Sequence, residues 1–444
     1  MCKEIKKQPE YSKFTGKRKK NMKKIENLLS FIDNSPSAYH TVASVKEQLL
    51  SAGFTQITPA DSAAYSDGGK HFVIIGGSSI IAFEGKGDGF MITASHSDSP
   101  AFRVKSGYEI RSAYNRLSVE KYGGMIHYTW LDRPLSVAGR VVVATDSGIE
   151  EHLVNLDKDA MIIPSVAIHL NRGVNDGAKH NPAVDLIPLL GKNSDSLESA
   201  LAEKLSVDPK SIISHDLFVY NRDRGRVCGI SDELIVSPRL DDLQCVHASL
   251  RGFLESSANS GAVKILAVFD NEEVGSETKQ GAASSVLHDT LKRIAGSEDK
   301  YYAMLENSFM VSADNAHALH PNHPELSDKE NAPILGGGVV IKHNGNQRYT
   351  TDGVSEAILR SIGREADVAF QHYYNRADIP GGSTLGSIAT TKVPLSSVDI
   401  GLPQLAMHSA TETAAVQDYL EMEKLLTAVY SASITKNGTK IEIK

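Results

Sequence analysis

Cysteine is scarce in this 444-residue chain: Cys2, Cys228 and Cys245 are scattered, and none pairs with another in CxxC spacing. That pattern suggests neither a disulfide framework nor a thiolate zinc site, and makes a reducing, cytoplasmic setting the expectation. Long apolar runs are missing too. No stretch approaches 18 consecutive apolar residues, so no membrane span is expected. Positive charge is not in excess either, since the formal net charge is -7, which argues against general nucleic-acid binding. Internal repeats and low-complexity segments are also absent. The basic block Lys17-Arg18-Lys19-Lys20-Asn21-Met22-Lys23-Lys24 lacks the apolar core of a secretory signal. Residues 1–24 therefore read as a solvated, flexible extension, with Met22 a candidate translational start. What remains is ordinary for a globular protein: 41% hydrophobic and 23% charged residues, over a length that suits two or three domains.

Periodicity organises that length. Ile25, Leu28, Leu29 and Ile32 predict one helix, and Tyr39, Val42, Val45 and Leu49 a second that ends near Gly53. Strands are predicted at 71–75, 79–83 and 89–94. From about residue 106 to 235 the chain turns to short β-rich pieces, such as 140–144 and 161–163, punctuated by Gly, Asn and Asp. Strand and helix alternate again afterwards. Leu243, Val246, Leu250 and Phe253 mark a helix face, 263–269 a buried strand, and further elements fall at 282–294, 309–313, 338–341, 354–366 and 394–399. A long helix over 411–430 closes the pattern. The expected architecture is an α/β catalytic domain (25–105 and 236–444) interrupted by a mostly-β insertion (106–235).

The chemistry gathers where strands end. Glu272 and Glu273 directly follow the apolar run 263–269, and two carboxylates there are costly unless something positive compensates them. In open α/β sheets sites form outside the carboxyl ends of strands. His96 and Asp98, Asp241, Asp314 and His408 fall at such ends as well. Each has a plainer role open to it. Asp241 can cap a helix, Asp314 can open an Asx-turn, and His408 can be a hydrogen-bonded surface histidine. Together they form the mixture of imidazole and carboxylate that suits zinc. Two metals bridged by one carboxylate need about five protein ligands. Two histidines and three acids supply them, with one glutamate left over as a base.

The segments His96-Ser97-Asp98-Ser99-Pro100, Ser237-Pro238-Arg239-Leu240-Asp241, Phe269-Asp270-Asn271-Glu272-Glu273-Val274-Gly275-Ser276, Asp314-Asn315-Ala316-His317-Ala318-Leu319-His320-Pro321 and Pro403-Gln404-Leu405-Ala406-Met407-His408-Ser409 resemble, in order, those of the aspartyl aminopeptidases. These are co-catalytic zinc exopeptidases that include the vacuolar-type aminopeptidases, and the resemblance spans about 34–430. It implies a three-layer αβα zinc-exopeptidase-like catalytic domain with an inserted β oligomerisation domain. It further implies that Asp241 bridges two divalent ions, with His96 and Asp314 completing one site and Glu273 and His408 the other. The ions would be Zn2+, with Mn2+ or Co2+ as alternatives. Glu272 is then the general base and acid, and Asp98 orients His96.

The same resemblance implies further residues and partners. His169 would reach a neighbouring subunit's site, Lys342 would meet an acidic substrate side chain, and His317 and His320 would line the substrate. Self-association into a dodecamer built from dimers is expected, with peptides as substrates. Gly381-Gly382-Ser383-Thr384 could offer backbone donors at a helix start, or be a plain turn. One departure stands out: after His408-Ser409, eukaryotic relatives carry an Arg-Glu pair, whereas this chain reads Ala410-Thr411-Glu412-Thr413. It weakens the expectation of acidic N-terminal residues and leaves a Leu-type preference open. A metal amidase or deacylase is the alternative enzyme, and a catalytically dead assembly protein the alternative outside catalysis.

Overall fold

The computed structural model describes residues 10–192, 196–257 and 261–444. Two helices lead, α1 (Glu10–Asp33) and α2 (Ala38–Ser51). Strands β1 (Thr55–Gln56), β2 (His71–Ile75), β3 (Ser79–Glu84) and β4 (Phe90–His96) follow. The insertion carries β5 (Ala101–Arg111), β6 (Asn115–Tyr122), β7 (Leu135–Thr145), β8 (Gly148–Asn155), β9 (Leu189–Gly191), α3 (Leu197–Leu205) and β10 (Ile212–Asn221). After β11 (Arg226–Cys228) and β12 (Leu234–Ser237) come α4 (Leu240–Glu255), β13 (Val263–Phe269), α5 (Val286–Ala295), α6 (Glu298–Glu306), β14 (Phe309–Ala313) and β15 (Ala316–His317). The chain continues through β16 (Val339–His343), α7 (Gly353–Glu365), β17 (Phe370–Tyr374), α8 (Leu385–Ala389), β18 (Ser396–Gly401), β19 (Pro403–Gln404), β20 (Glu412–Ala415) and α9 (Val416–Ser431).

The main sheet has the order β1-β2-β3-β13-β4-β14-β18-β16-β17. Its four central strands, β13, β4, β14 and β18, run parallel. Every residue of β13 and β4 is buried, as expected for strands covered on both faces. One face packs on α1, α2, α4, α7 and α9 through Leu28, Val45, Val246, Leu359 and Leu425. The other packs on α5, α6 and α8 through Leu291, Met304 and Leu385. This is the three-layer αβα plan expected from the sequence.

The inserted sheet has the order β8-β7-β10-β5-β6-β9, is antiparallel, and has its own core around Phe102, Trp130, Leu135, Val141 and Leu217. Its strands begin at Ala101, ahead of the expected boundary at 106, because Phe102 and Val104 already point into that core. They end at Asn221, while β12 pairs with β20 of the catalytic domain rather than with the insertion.

Other elements moved in detail. The closing helix starts at Val416, because residues 412–415 form β20 on β12. Residues 161 and 162 make only isolated bridges to Leu135 and Leu189. The basic block lies within α1, solvent-facing at Arg18, Lys19 and Lys20, and the same helix goes on to bury Ile25, Leu28 and Ile32. Residues 1–9, and with them Cys2, lie outside the described residues.

Candidate metal centre

The central parallel strands deliver their carboxyl ends to one edge, and most of the expected site arrives with them. His96 is the last residue of β4. A single 3-10 turn after β13 carries Glu272 and Glu273. Asp314 follows β14, His408 follows β18 and β19, and Asp241 sits in the first turn of α4, beside Asp242. Sharp local turns aim them. Arg239 (φ 57°), Asn271 (φ 66°), Ala406 (φ 55°) and His408 (φ 65°) all take left-handed backbone without being glycine. Each such residue costs about 1 kcal/mol or more, and holds only where its surroundings dictate it. Gly401 lets β18 approach closely, since a Cβ there would lie 2.2 Å from the Asp314 carbonyl oxygen.

Asp241 stands in the middle. Its Oδ1 is 3.4 Å from His96 Nε2, and its Oδ2 is 3.3 Å from His408 Nε2. His96 Nε2 is also 3.7 Å from Asp314 Oδ1, and His408 Nε2 is 3.4 Å from Glu273 Oε1. The two oxygens of one carboxylate thus face two separate histidine–carboxylate sets. Asp242 lies beside the first set, and its Oδ2 accepts the backbone N–H of His96 at 3.2 Å.

These residues fit a cation. Both imidazoles donate through Nδ1, His96 to the Asp98 carbonyl at 3.1 Å and His408 to the Gly124 carbonyl at 2.9 Å. In the neutral ring Nε2 is then a lone pair, and it faces carboxylate oxygens that are lone pairs as well. Asp241 Oδ1 and Glu273 Oε1 are buried with no hydrogen-bond partner. The 3.3–3.7 Å nitrogen–oxygen separations exceed ordinary hydrogen bonds. They match the edge of about 3.3 Å that a tetrahedron with zinc–ligand bonds of about 2.0–2.1 Å has. In the ion-free protein the imidazoles themselves carry the positive charge. Protonated His408 and His96 hold Asp241 below the ordinary carboxylate range against the effect of burial, and the carboxylates hold both rings above theirs. Burial lifts Glu273 well above that range and Glu272 to about 8. Buried charges cost several kcal/mol each when uncompensated, so this edge is built to hold positive charge.

Supporting residues come from unexpected places. The carboxylate of Asp98 accepts the backbone N–H groups of Glu272 and Glu273, each at 3.2 Å, and the Tyr122 hydroxyl at 2.6 Å. It also lies 3.3 Å from His96 Nδ1. Tyr122 ends β6 and in turn accepts from Asn271 Nδ2 at 2.9 Å. The insertion therefore forms one wall through Tyr122 and Gly124, which sequence alone gave no reason to place there. Glu412, the first residue of β20, is buried beneath the ligands. Its Oε1 accepts from His408 N at 2.7 Å and its Oε2 from Asp241 N at 3.0 Å. Asn315 donates to the Leu240 carbonyl at 2.9 Å and accepts from Gln244 at 2.7 Å, fixing the start of α4.

The remaining expected residues are less centred. Lys342 is fully buried, and its Nζ donates to Asp314 O (2.9 Å), Asp314 Oδ2 (3.2 Å) and Asn315 O (3.2 Å). His317 is exposed near the cluster with its ring 6.0 Å from Tyr373, and His320 pairs with His323 at 5.3 Å. His169 lies in an exposed turn of the insertion. Thr384 caps α8, and its hydroxyl donates to Asp399 at 2.7 Å.

An αβα sheet with imidazoles and carboxylates converging at its carboxyl edge is the plan of a metal-dependent hydrolase. The sequence model of aminopeptidase I zinc metalloproteases (M18) matches residues 31–430. The probable M18 family aminopeptidase 2 of Clostridium novyi is 42% identical, covering 93% of this chain and all of the relative. Aspartyl aminopeptidase 1 of Schizosaccharomyces pombe is 37% identical, over 88% of this chain and 91% of its own. Among solved structures, a chain of the Ape4 and Nbr1 complex superposes with TM-score 0.90 at 32% identity, covering 93% of this chain and 86% of that one. The S. cerevisiae mApe1 dodecamer superposes with TM-score 0.81 at 24% identity over 91% and 97% of the two chains, a likeness of fold. The chain belongs to the aminopeptidase I zinc metalloprotease (M18) family, and it is a metalloaminopeptidase. Among the described residues, no helix is long and apolar enough to cross a membrane.

Proposed function

We propose that the enzyme removes the N-terminal residue of peptides with a water activated between two divalent ions, most simply Zn2+, with Glu272 as general base. The observation that carries this is Asp241, whose two oxygens face separate ligand sets, His96 with Asp314 and Glu273 with His408. Bound at those sets, the ions would supply an acidified water and a polarised scissile carbonyl. Glu272 belongs to neither set, and burial holds its carboxyl near neutrality, at about 8. It takes the water proton and returns it to the leaving amine. Asp98 positions both the His96 ring and the Glu272–Glu273 turn. The acidic cluster also suits a free α-amine, which favours an exopeptidase. Glu272→Gln should abolish turnover while metal content stays near that of the wild type. Substantial remaining turnover would refute the base, and loss of metal would make Glu272 a ligand instead.

We assign acidic N-terminal residues as the preferred substrates, in line with the aspartyl aminopeptidase relative. Lys342 and His317 are then the substrate contacts. A second reading has one observation in its favour: all three Lys342 donors are already used by Asp314 and Asn315, which suits a neutral, Leu-type residue. Relative kcat/KM on Asp-, Glu- and Leu-anilides decides between them. Turnover of acetylated amines in place of anilides would point to an amidase. Self-association through the insertion, into dimers and then a dodecamer like the S. cerevisiae neighbour, would bring His169 of one subunit to another's site. The setting we propose is the cytoplasm.

A further inference from the structure

Strand direction reverses between β18 and β16, so the carboxyl ends of β16 and β17 open on the sheet edge opposite the catalytic ligands. There His343 from β16, His372 from β17 and Glu356 from the first turn of α7 converge. His372 pairs in register with Ile341, two residues before His343, so both rings emerge on the same face. That face is the one α7 covers, because Val339 and Ile341 share a core with Ile358 and Leu359. Lys342, between them, points to the other face and into the catalytic centre. The triad is thus separate from the ligands already described.

His343 Nε2 lies 3.2 Å from His372 Nδ1. The Glu356 oxygens lie 3.8 Å from His343 Nε2 and from His372 Nε2. The three side chains are 13%, 36% and 20% exposed for His343, His372 and Glu356, sheltered but reachable from solvent. The Tyr374 ring stacks on His343 at 4.8 Å and 5°, which fixes the imidazole plane.

We propose that His343, His372 and Glu356 form a further divalent transition-metal site, taking one Zn2+ per chain with water completing the shell. Two imidazoles and a carboxylate are an established zinc donor set. With His343 Nε2 and His372 Nδ1 as the imidazole donors, their 3.2 Å separation is close to a tetrahedral edge, and Glu356 Oε2, 3.8 Å from His343 Nε2, would move toward the same ion. Arg360 competes for Glu356 at 3.3 Å, but its side chain is 58% exposed, and such a pair is easily displaced. An ion here would tie α7 to both outer strands. The opposing interpretation is a closed network of hydrogen bonds and ion pairs that binds nothing.

Ion counting separates the two. Protein is equilibrated with chelator-buffered Zn2+, and metal per chain is measured by mass spectrometry in the wild type, His372→Ala, Glu356→Gln, Asp241→Asn and the double variant Asp241→Asn with His372→Ala. The expected result is one ion fewer in His372→Ala and in Glu356→Gln than in the wild type, with turnover retained. Asp241→Asn should keep one ion that the double variant loses, and Zn2+ should raise the unfolding temperature of the former only. Affinity for that ion should fall at least about 10-fold on losing either ligand. Equal ion counts in the wild type and in both folded ligand variants, checked by circular dichroism, would overturn the site. Because the comparison is a difference between variants, it stands whatever the number of catalytic ions.

Discussion

Two regions of this molecule break the ordinary rule of burial in opposite directions. Along the carboxyl edge of β13, β4, β14 and β18, the side chains of His96, Asp241 and Glu273 are ionisable and almost wholly buried. On the insertion, large apolar groups are left in water: Leu170 is 84% exposed, Ile149 and Val184 68%, and Tyr128 67%. Buried charge and exposed oil each cost free energy in an isolated chain. We read each as a surface completed by something else. At the sheet edge the missing partner is a cation. On the insertion it is, in our proposal, another copy of the chain. The two regions also touch, because Tyr122 and Gly124 of the insertion hold Asp98 and His408.

The comparison is broken most severely at its polar pole. Asp241→Asn removes the carboxylate that faces both ligand sets, so on the proposed mechanism both ions and all detectable turnover should be lost, as read by metal analysis and anilide hydrolysis. Retention of two catalytic ions would show that Asp241 does not bridge. At the apolar pole, Leu170→Glu should reduce the assembly to smaller species by sedimentation velocity. If His169 serves the neighbouring site as an oxyanion donor, turnover should fall about 10²-fold with it. His169→Ala should then lose the same turnover without changing mass. Unchanged turnover in His169→Ala would leave the insertion a purely assembling element.

Where the regions meet, the effects should be smaller. Tyr122→Phe deletes the 2.6 Å bond to the Asp98 carboxylate and should cost about 1.5–3 kcal/mol of local stabilisation. We expect lower kcat with metal content intact, and a wild-type kcat would mean that Asp98 is held well enough by the Glu272–Glu273 backbone. The least effect belongs to Arg18→Ala. Its ion pair with Asp232 joins side chains 65% and 56% exposed, so thermal unfolding should register less than about 1 kcal/mol.

Much of this was legible in the chain itself. The α/β alternation follows from the apolar runs, because strands buried on both faces need uninterrupted apolar sequence, while the three-layer αβα plan is implied by the resemblance to the zinc exopeptidases. His96, Asp241, Glu272, Glu273, Asp314 and His408 were legible as candidates because each is a polar residue placed where such a run stops. Glu412 was not. It follows no long apolar run, and only the pairing of β20 with β12 carries it under Asp241 and His408. Tyr122 was hidden for the same kind of reason. Nothing along the chain links residue 122 to residue 98 until β5 and β6 fold back beside the catalytic sheet. Lys342 was expected to face substrate, and its contacts with Asp314 and Asn315 appear only once β16 runs antiparallel to β18.

By itself, then, the sequence determined the period of each element and which strand ends would carry charge, since both depend on neighbours a few residues away. Tertiary structure alone decided that one carboxylate would face two histidines, that the insertion would wall the site, and that His343, His372 and Glu356 would meet on the far edge. Those outcomes depend on the order and direction of strands, which place side chains hundreds of residues apart within a few ångströms, and no local pattern encodes that.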